Sequence, residues 1–306
     1  MALAEHVAQG PPALGGLAVA RSPARAAFAS LRPRQWSKNL LVFAGLLFAA
    51  KLGDATRWLE AAVAFAAYCS ASSAAYLAND LLDSESDRLH PVKCRRPVAS
   101  GELARVPALG LAAGLAAAAL GLAAALGPWS LALMAGFLAL QAVYSVRLKH
   151  VVLIDVIAIG VLFVIRAAAG AVAVDVPISS WLLVCTALLA LFLGLAKRRA
   201  ELVLVGADST PGRPVLAGYS LALVDRLVAV VAASTVVAYS LYTLSAHSKT
   251  MIATVPFVAY GIVRYLLLIH RRDLGEEPEN VLLSDLPIIA TVAAWACLSG
   301  LILALT

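Results

Sequence analysis

The chain carries about nine apolar runs, most of them near 20 residues long, at 39–52, 58–80, 103–126, 128–146, 151–173, 178–196, 216–245, 251–270 and 285–305. A run of that length crosses the ~30 Å hydrocarbon layer as a helix. Lipid cannot satisfy backbone N–H and C=O groups, so only helices and closed barrels can span it. The runs are continuous rather than alternating, which selects helices. Composition agrees: 62% of the 306 residues are hydrophobic and 14% are charged, against roughly a quarter charged in soluble domains. The expected fold is all-α, a polytopic membrane bundle of about nine transmembrane helices in one catalytic domain (29–306), with a mobile tail at 1–28. The first run is short, and the seventh holds Asp225 and Arg226 near its start. The opening "MALAEHVAQGPP" lacks a basic region followed by an apolar core, so it does not read as a signal peptide.

The tail and the loops 81–102, 147–150, 197–215 and 271–284 hold most of the Lys and Arg, whereas "GPWS" (127–130) and "DVP" (175–177) hold none. The positive-inside rule places the N-terminus and all the charged loops in the cytoplasm, with a site on the cytoplasmic face of the cell membrane. The net charge of +6 sits in these loops and implies no nucleic acid. Four scattered cysteines, Cys69, Cys94, Cys185 and Cys297, show no metal-type spacing and are expected to be reduced. The five histidines do not cluster.

Topology accounts for the basic loops but not for the acids in "LANDLLDSESDRLHPVKCRRP" (77–97). On a continuous helix, Asn79, Asp80, Asp83 and Asp87 fall within an arc of about 100°, with Tyr76 one turn earlier. Like charges at such spacings repel, and a helix C-terminus disfavours anions. A divalent cation reverses that balance, and carboxylate and amide oxygens suit Mg²⁺. Arg95 and Arg96, in "KCRR", can hold phosphate oxygens. The plainer alternative is a solvated helix end.

"NDLLDSESD" resembles the Asn-Asp-x-x-Asp-x-x-x-Asp motif of the UbiA superfamily of intramembrane prenyltransferases. The resemblance covers about residues 30–305. It implies a nine-helix bundle in which this motif binds the Mg²⁺–diphosphate of the substrate. "YSVRLKHVVLID" (144–155) resembles the family's Tyr-x-x-x-x-Lys element, here Tyr144 and Lys149. "LRPRQWSKNLLVF" (31–43), "LIDVIAIGVLFVIRAAAGA" (153–171) and "GEEPENVLLSDLP" (275–287) are similar to the phosphoribosyl-transferring branch. That branch implies phosphoribosyl diphosphate as donor, a polyprenyl phosphate, commonly decaprenyl phosphate, as acceptor, and a role in cell-wall arabinan synthesis.

Prenyl-transferring relatives carry a second aspartate pair after span six. This chain has "AKRRAELVLVGADSTPGR" (196–213) there, with Lys197, Arg198 and Arg199 and only Glu201 close by. Extra phosphate groups call for such cations. Asp155 and Arg166 lie inside span five, about 16 Å apart along the axis. Charges at such depth are usually functional, so Asp155 is a candidate for ribose hydroxyls, and Arg166 is expected to neutralise a buried partner. Arg34 and Lys38 share a face near Trp36, an interface-type residue, and Lys38 is a candidate phosphate ligand.

The resulting reading is a Mg²⁺-dependent pentosyl transferase with Asp80, Asp83 and Asp87 as catalytic metal ligands, helped by Asn79. Lys38, Tyr76, Asn79, Arg95, Arg96, Tyr144, Lys149, Asp155, Lys197, Arg198 and Glu201 are the candidate substrate contacts. One alternative is prenyl transfer from a diphosphate to an aromatic acceptor. Another is a transporter or lipid-binding protein, although transporters show repeated halves and midplane charges. A homo-oligomer stays compatible with the sequence.

Overall fold

The computed structural model describes residues 21–48, 53–90, 92–208, 214–245, 249–271 and 284–305. Residues 1–20 of the expected tail, 49–52 of the first expected span and 275–283 of the last branch-like stretch lie outside the described residues. Among the described residues there is no strand. The chain begins with α1 (Pro23–Ser30), a 3₁₀ segment (Pro33–Phe43) and α2 (Ala44–Phe48). It continues through α3 (Ala55–Leu82), α4 (Ser84–Leu89), α5 (Pro97–Ser100), α6 (Arg105–Ala125), α7 (Pro128–Val146) and α8 (Ile154–Ala173). The described residues end with α9 (Ser180–Asp208), α10 (Leu221–Ser245), α11 (Val255–Arg271) and α12 (Leu286–Leu305).

Eight segments among the described residues are helical, long and apolar enough to cross a membrane. They match eight of the nine expected spans. The first differs: 39–48 is the end of a 3₁₀ stretch followed by one short α-helix. Asn39 sits buried in that stretch, with its side chain bonded to other elements. A polar interior contact of this kind belongs to a packed segment rather than a lipid-facing helix. The indole nitrogen of Trp36 donates to Ser73 Oγ at 3.1 Å, which ties this segment to α3.

The helices pack as lipid solvent demands. Hydrocarbon offers no hydrophobic drive between helices, so small residues that permit close approach do the work. On α6, Ala108, Ala112, Ala119 and Ala123 are buried at spacings that keep them on one side. Ala64, Ala67 and Ala71 of α3 share a core with Ala119 and Ala123. Large apolar residues such as Leu59, Val106, Trp129 and Val230 face outward. The 3₁₀ segment presses still closer on α8: a Cβ on Gly170 would stand 2.0 Å from the Val42 carbonyl oxygen. Only glycine fits there.

A second core joins α8 to α9, α10, α11 and α12 around Phe192, Tyr265 and Ile269. Between the two cores the bundle encloses a cavity of about 2750 Å³, whose walls run from Asp80 and Lys149 at the charged end to Trp58 and Leu303.

Candidate active site

The site grows from the way α3 stops. Asp83 leaves helical geometry (φ −91°, ψ 2°), and α4 restarts at Ser84. The expected continuous helix through Asp87 is thus broken at its own acidic motif. The break redirects the carboxylates, so they do not form one three-carboxylate face. Arg96 precedes Pro97, which biases it to extended backbone (φ −66°, ψ 139°). From there its Nη1 donates to Asp87 Oδ2 at 2.6 Å and Asp80 Oδ1 at 3.2 Å. Arg32 comes from the other side, with Nη2 2.5 Å from Asp80 Oδ1 and its guanidinium 5.0 Å from the Tyr76 ring centroid. Arg32 holds a left-handed conformation (φ 53°), costly for a non-glycine residue.

Asp83 turns elsewhere. Lys149, in a 3₁₀ turn just after α7, places Nζ 2.7 and 2.9 Å from the two Asp83 oxygens and 3.3 Å from Asn79 Oδ1. Asn79 Nδ2 donates back to Asp83 at 3.0 Å. The Tyr-x-x-x-x-Lys element thereby meets the acidic motif across the bundle mouth. Tyr144 lines the cavity there with Lys38, Lys197 and the exposed Arg95. Lys38 also donates to Gln35 Oε1 at 2.5 Å.

Span six runs further than its apolar stretch predicts. α9 continues to Asp208, so Lys197, Arg198, Arg199 and Glu201 are helical residues and not loop residues. The extension survives because its charges are paired across helices. Arg198 Nε donates to Asp155 Oδ2 at 2.7 Å, and Arg198 also pairs with Glu201. Arg199 pairs with Asp225 of α10 at 2.7 Å and donates to the Ile269 carbonyl at 2.9 Å. Asp155 is 0% exposed and Arg198 1%. The second Asp155 oxygen accepts from the Tyr219 hydroxyl at 2.7 Å, and that hydroxyl accepts from the Leu153 N–H at the same distance. Leu153 is itself in a positive-φ conformation (66°). Asp155 thus anchors the start of α8 and is turned away from the cavity, and Arg198 is committed to it.

The oxygen donors fit a hard cation. No group of three His, Cys, Asp or Glu side chains gathered for a metal occurs among the described residues. Mg²⁺ does not require three, since it commonly takes one or two carboxylates plus water and substrate phosphate. Two such pairs are present: Asp80 with Asp87, and Asp83 with Asn79. Each pair converges on one basic nitrogen, of Arg96 and Lys149 respectively, and that nitrogen stands where a cation is needed. Arg32 and Tyr219 were not singled out in the sequence. Arg32 lies in the quoted stretch "LRPRQWSKN", where its place before Pro33 was the available signal. Tyr219 had none.

A membrane bundle with an acid–base rim over a large cavity defines the class of intramembrane helical enzymes acting on lipid substrates. Within that class, residues 40–285 match the UbiA prenyltransferase family, and the chain belongs to that family. It is 36% identical over 283 residues to the decaprenyl-phosphate phosphoribosyltransferase of Mycolicibacterium smegmatis, covering 87% of this chain and 88% of that one. It is 32% identical over 281 residues to the enzyme of the same name from Mycobacterium tuberculosis, covering 89% and 92%. The fold resembles a UbiA homologue from Archaeoglobus fulgidus bound to DMAPP and Mg²⁺, with a TM-score of 0.72 at 20% identity, covering 92% and 99%.

Proposed function

We propose that the protein transfers 5-phosphoribose from phosphoribosyl diphosphate to a polyprenyl phosphate, of decaprenyl type, and releases diphosphate. The observation that carries this reading is the likeness, along 87% of the chain, to the mycolicibacterial phosphoribosyltransferase. The site chemistry supports it. Held by Asp80 with Asp87, or by Asp83 with Asn79, Mg²⁺ would supply positive charge to the departing diphosphate.

The chain's own residues do the rest. Arg32, Arg96 and Lys149 hold the carboxylates oriented and bring cationic donors within reach of phosphate oxygens. Lys38, Arg95 and Lys197 add positive charge around the mouth, and Tyr76 and Tyr144 line the space beside the ribose. A phosphate oxygen of the lipid attacks ribose C1 as the bond from C1 to the diphosphate oxygen breaks. That oxygen is already anionic at pH 7, so no general base is assigned. Direct displacement inverts the anomeric centre. The polyprenyl chain occupies the deeper cavity, along Leu189, Leu193, Ile262 and Trp295.

The charged end is proposed to face the cytoplasm, from which a water-soluble donor arrives, with the N-terminus on that side. The test is diphosphate release from phosphoribosyl diphosphate by purified protein, with and without polyprenyl phosphate. Release that depends on both substrates is expected. Release only from a prenyl diphosphate offered with an aromatic acid favours prenyl transfer instead.

A further inference from the structure

Arg166 lies twelve residues into α8 and is 4% exposed. Among the described residues no carboxylate touches it. Nε donates to Asn39 Oδ1 at 2.8 Å, Nη2 to Ser72 Oγ at 3.3 Å and Nη1 to the Leu162 carbonyl at 3.4 Å. The guanidinium carbon sits 4.6 Å from the Phe137 ring centroid and 5.3 Å from that of Phe163. An arginine has five N–H donors. Three are engaged, two of them at long distance.

The contrast within the same bundle is sharp. Buried Arg198 has Asp155 and Glu201, and buried Arg199 has Asp225. Among the described residues Arg166 has only neutral acceptors and ring faces, so no counter-charge meets it there at membrane depth. Such charges are expensive and are as a rule retained for function. The side chain also borders the central cavity, so an anion there could reach its remaining donors.

The depth narrows the choice of anion. Ser72 precedes Asp80 by eight residues on α3, which is about 12 Å along the axis. A group at Arg166 therefore lies well below the acidic rim. Displacement at C1 puts the attacking oxygen opposite the leaving diphosphate, with the ribose between them. A diphosphate at the rim thus directs the attacking phosphate inward, toward this level.

We propose that Arg166 is a phosphate-binding residue that receives a phosphate monoester inside the cavity, the depth favouring that of the lipid acceptor over the 5-phosphate of the donor. The inference rests on the transferase reading above and assigns one of its substrate contacts. Asn39 and Ser72 hold the guanidinium in place, and its face packs on Phe137 and Phe163.

The test pairs binding with kinetics. Farnesyl phosphate, a short isoprenyl phosphate, should raise the unfolding temperature of the purified wild-type protein, and farnesol should not. Arg166→Gln should remove that protection and raise KM for polyprenyl phosphate by about tenfold or more, the equivalent of one charge-assisted hydrogen bond, with KM for phosphoribosyl diphosphate unchanged. A rise in the donor's KM instead, absent with ribose 1-diphosphate lacking the 5-phosphate, assigns the residue to the donor phosphate and still supports a phosphate site. If Arg166→Gln does not fold, Arg166→Lys gives the reading: it keeps the charge but loses the planar fork, so farnesyl phosphate should bind it more weakly. No protection of the wild type overturns the proposal. So does a folded variant with wild-type protection and wild-type KM for both substrates. The protection assay needs no transfer reaction. Arg166-dependent protection in a protein that makes no phosphoribosylated lipid would therefore overturn the transferase reading alone.

Discussion

Arg32 Nη2 lies 2.5 Å from Asp80 Oδ1, joining the 3₁₀ segment to the end of α3. Asp80 is 2% exposed, and a carboxylate buried to that degree stays ionised only with charged partners. Arg32 and Arg96 are those partners. Arg32→Ala should lower stability in detergent by about 1–3 kcal/mol and reduce turnover, and Arg32→Lys should restore neither fully. Wild-type unfolding temperature and turnover in Arg32→Ala would contradict this role.

Asp80→Ala and Asp83→Ala should each abolish transfer while the helical circular dichroism persists, because losing a metal ligand removes several kcal/mol of transition-state stabilisation. A chelator should stop the wild-type reaction, and Mg²⁺ should restart it. Near-normal turnover in either variant removes the metal assignment.

Lys149 and Lys197 line the same mouth. Alanine at either position should raise KM for one phosphate-bearing substrate by about tenfold or more. If both variants keep wild-type KM for both substrates, neither lysine holds a substrate phosphate.

The pair formed by Asp155 and Arg198 should behave differently. Arg198→Met removes the cation paired with buried Asp155 and should cost about 3–5 kcal/mol, whereas Asp155→Leu leaves Arg198 paired with Glu201 and should cost less. The double replacement should recover much of that loss, since the pair acts as a unit. Additive losses would show that the two residues are not coupled.

Eight spans were legible because each apolar run states its own length. The motif residues were legible because Asn79, Asp80, Asp83 and Asp87 are close in sequence. What pairs with them was not. Arg32 and Lys149 reach Asp80 and Asp83 over 48 and 66 residues, and no local pattern encodes such contacts. The helix break at Asp83 was hidden as well, because α4 resumes at once and the spacing still reads as one helix. Hydropathy ended span six near residue 196, yet α9 continues, because interhelical ion pairs at Arg198 and Arg199 replace apolar packing. Hydropathy also read 39–52 as a span, missing the buried polar contacts of Asn39 that tie its beginning into the bundle.

The central claim is phosphoribosyl transfer to a lipid phosphate, and mass analysis of the lipid product tests it most directly. Purified protein in liposomes would receive phosphoribosyl diphosphate labelled at the 5-phosphate, polyprenyl phosphate and Mg²⁺, with a parallel reaction offering prenyl diphosphate and an aromatic acid. The account predicts a lipid heavier by one phosphoribosyl unit, carrying the label and formed with an equal amount of diphosphate. A prenylated aromatic product, with no label in the lipid fraction, would contradict it.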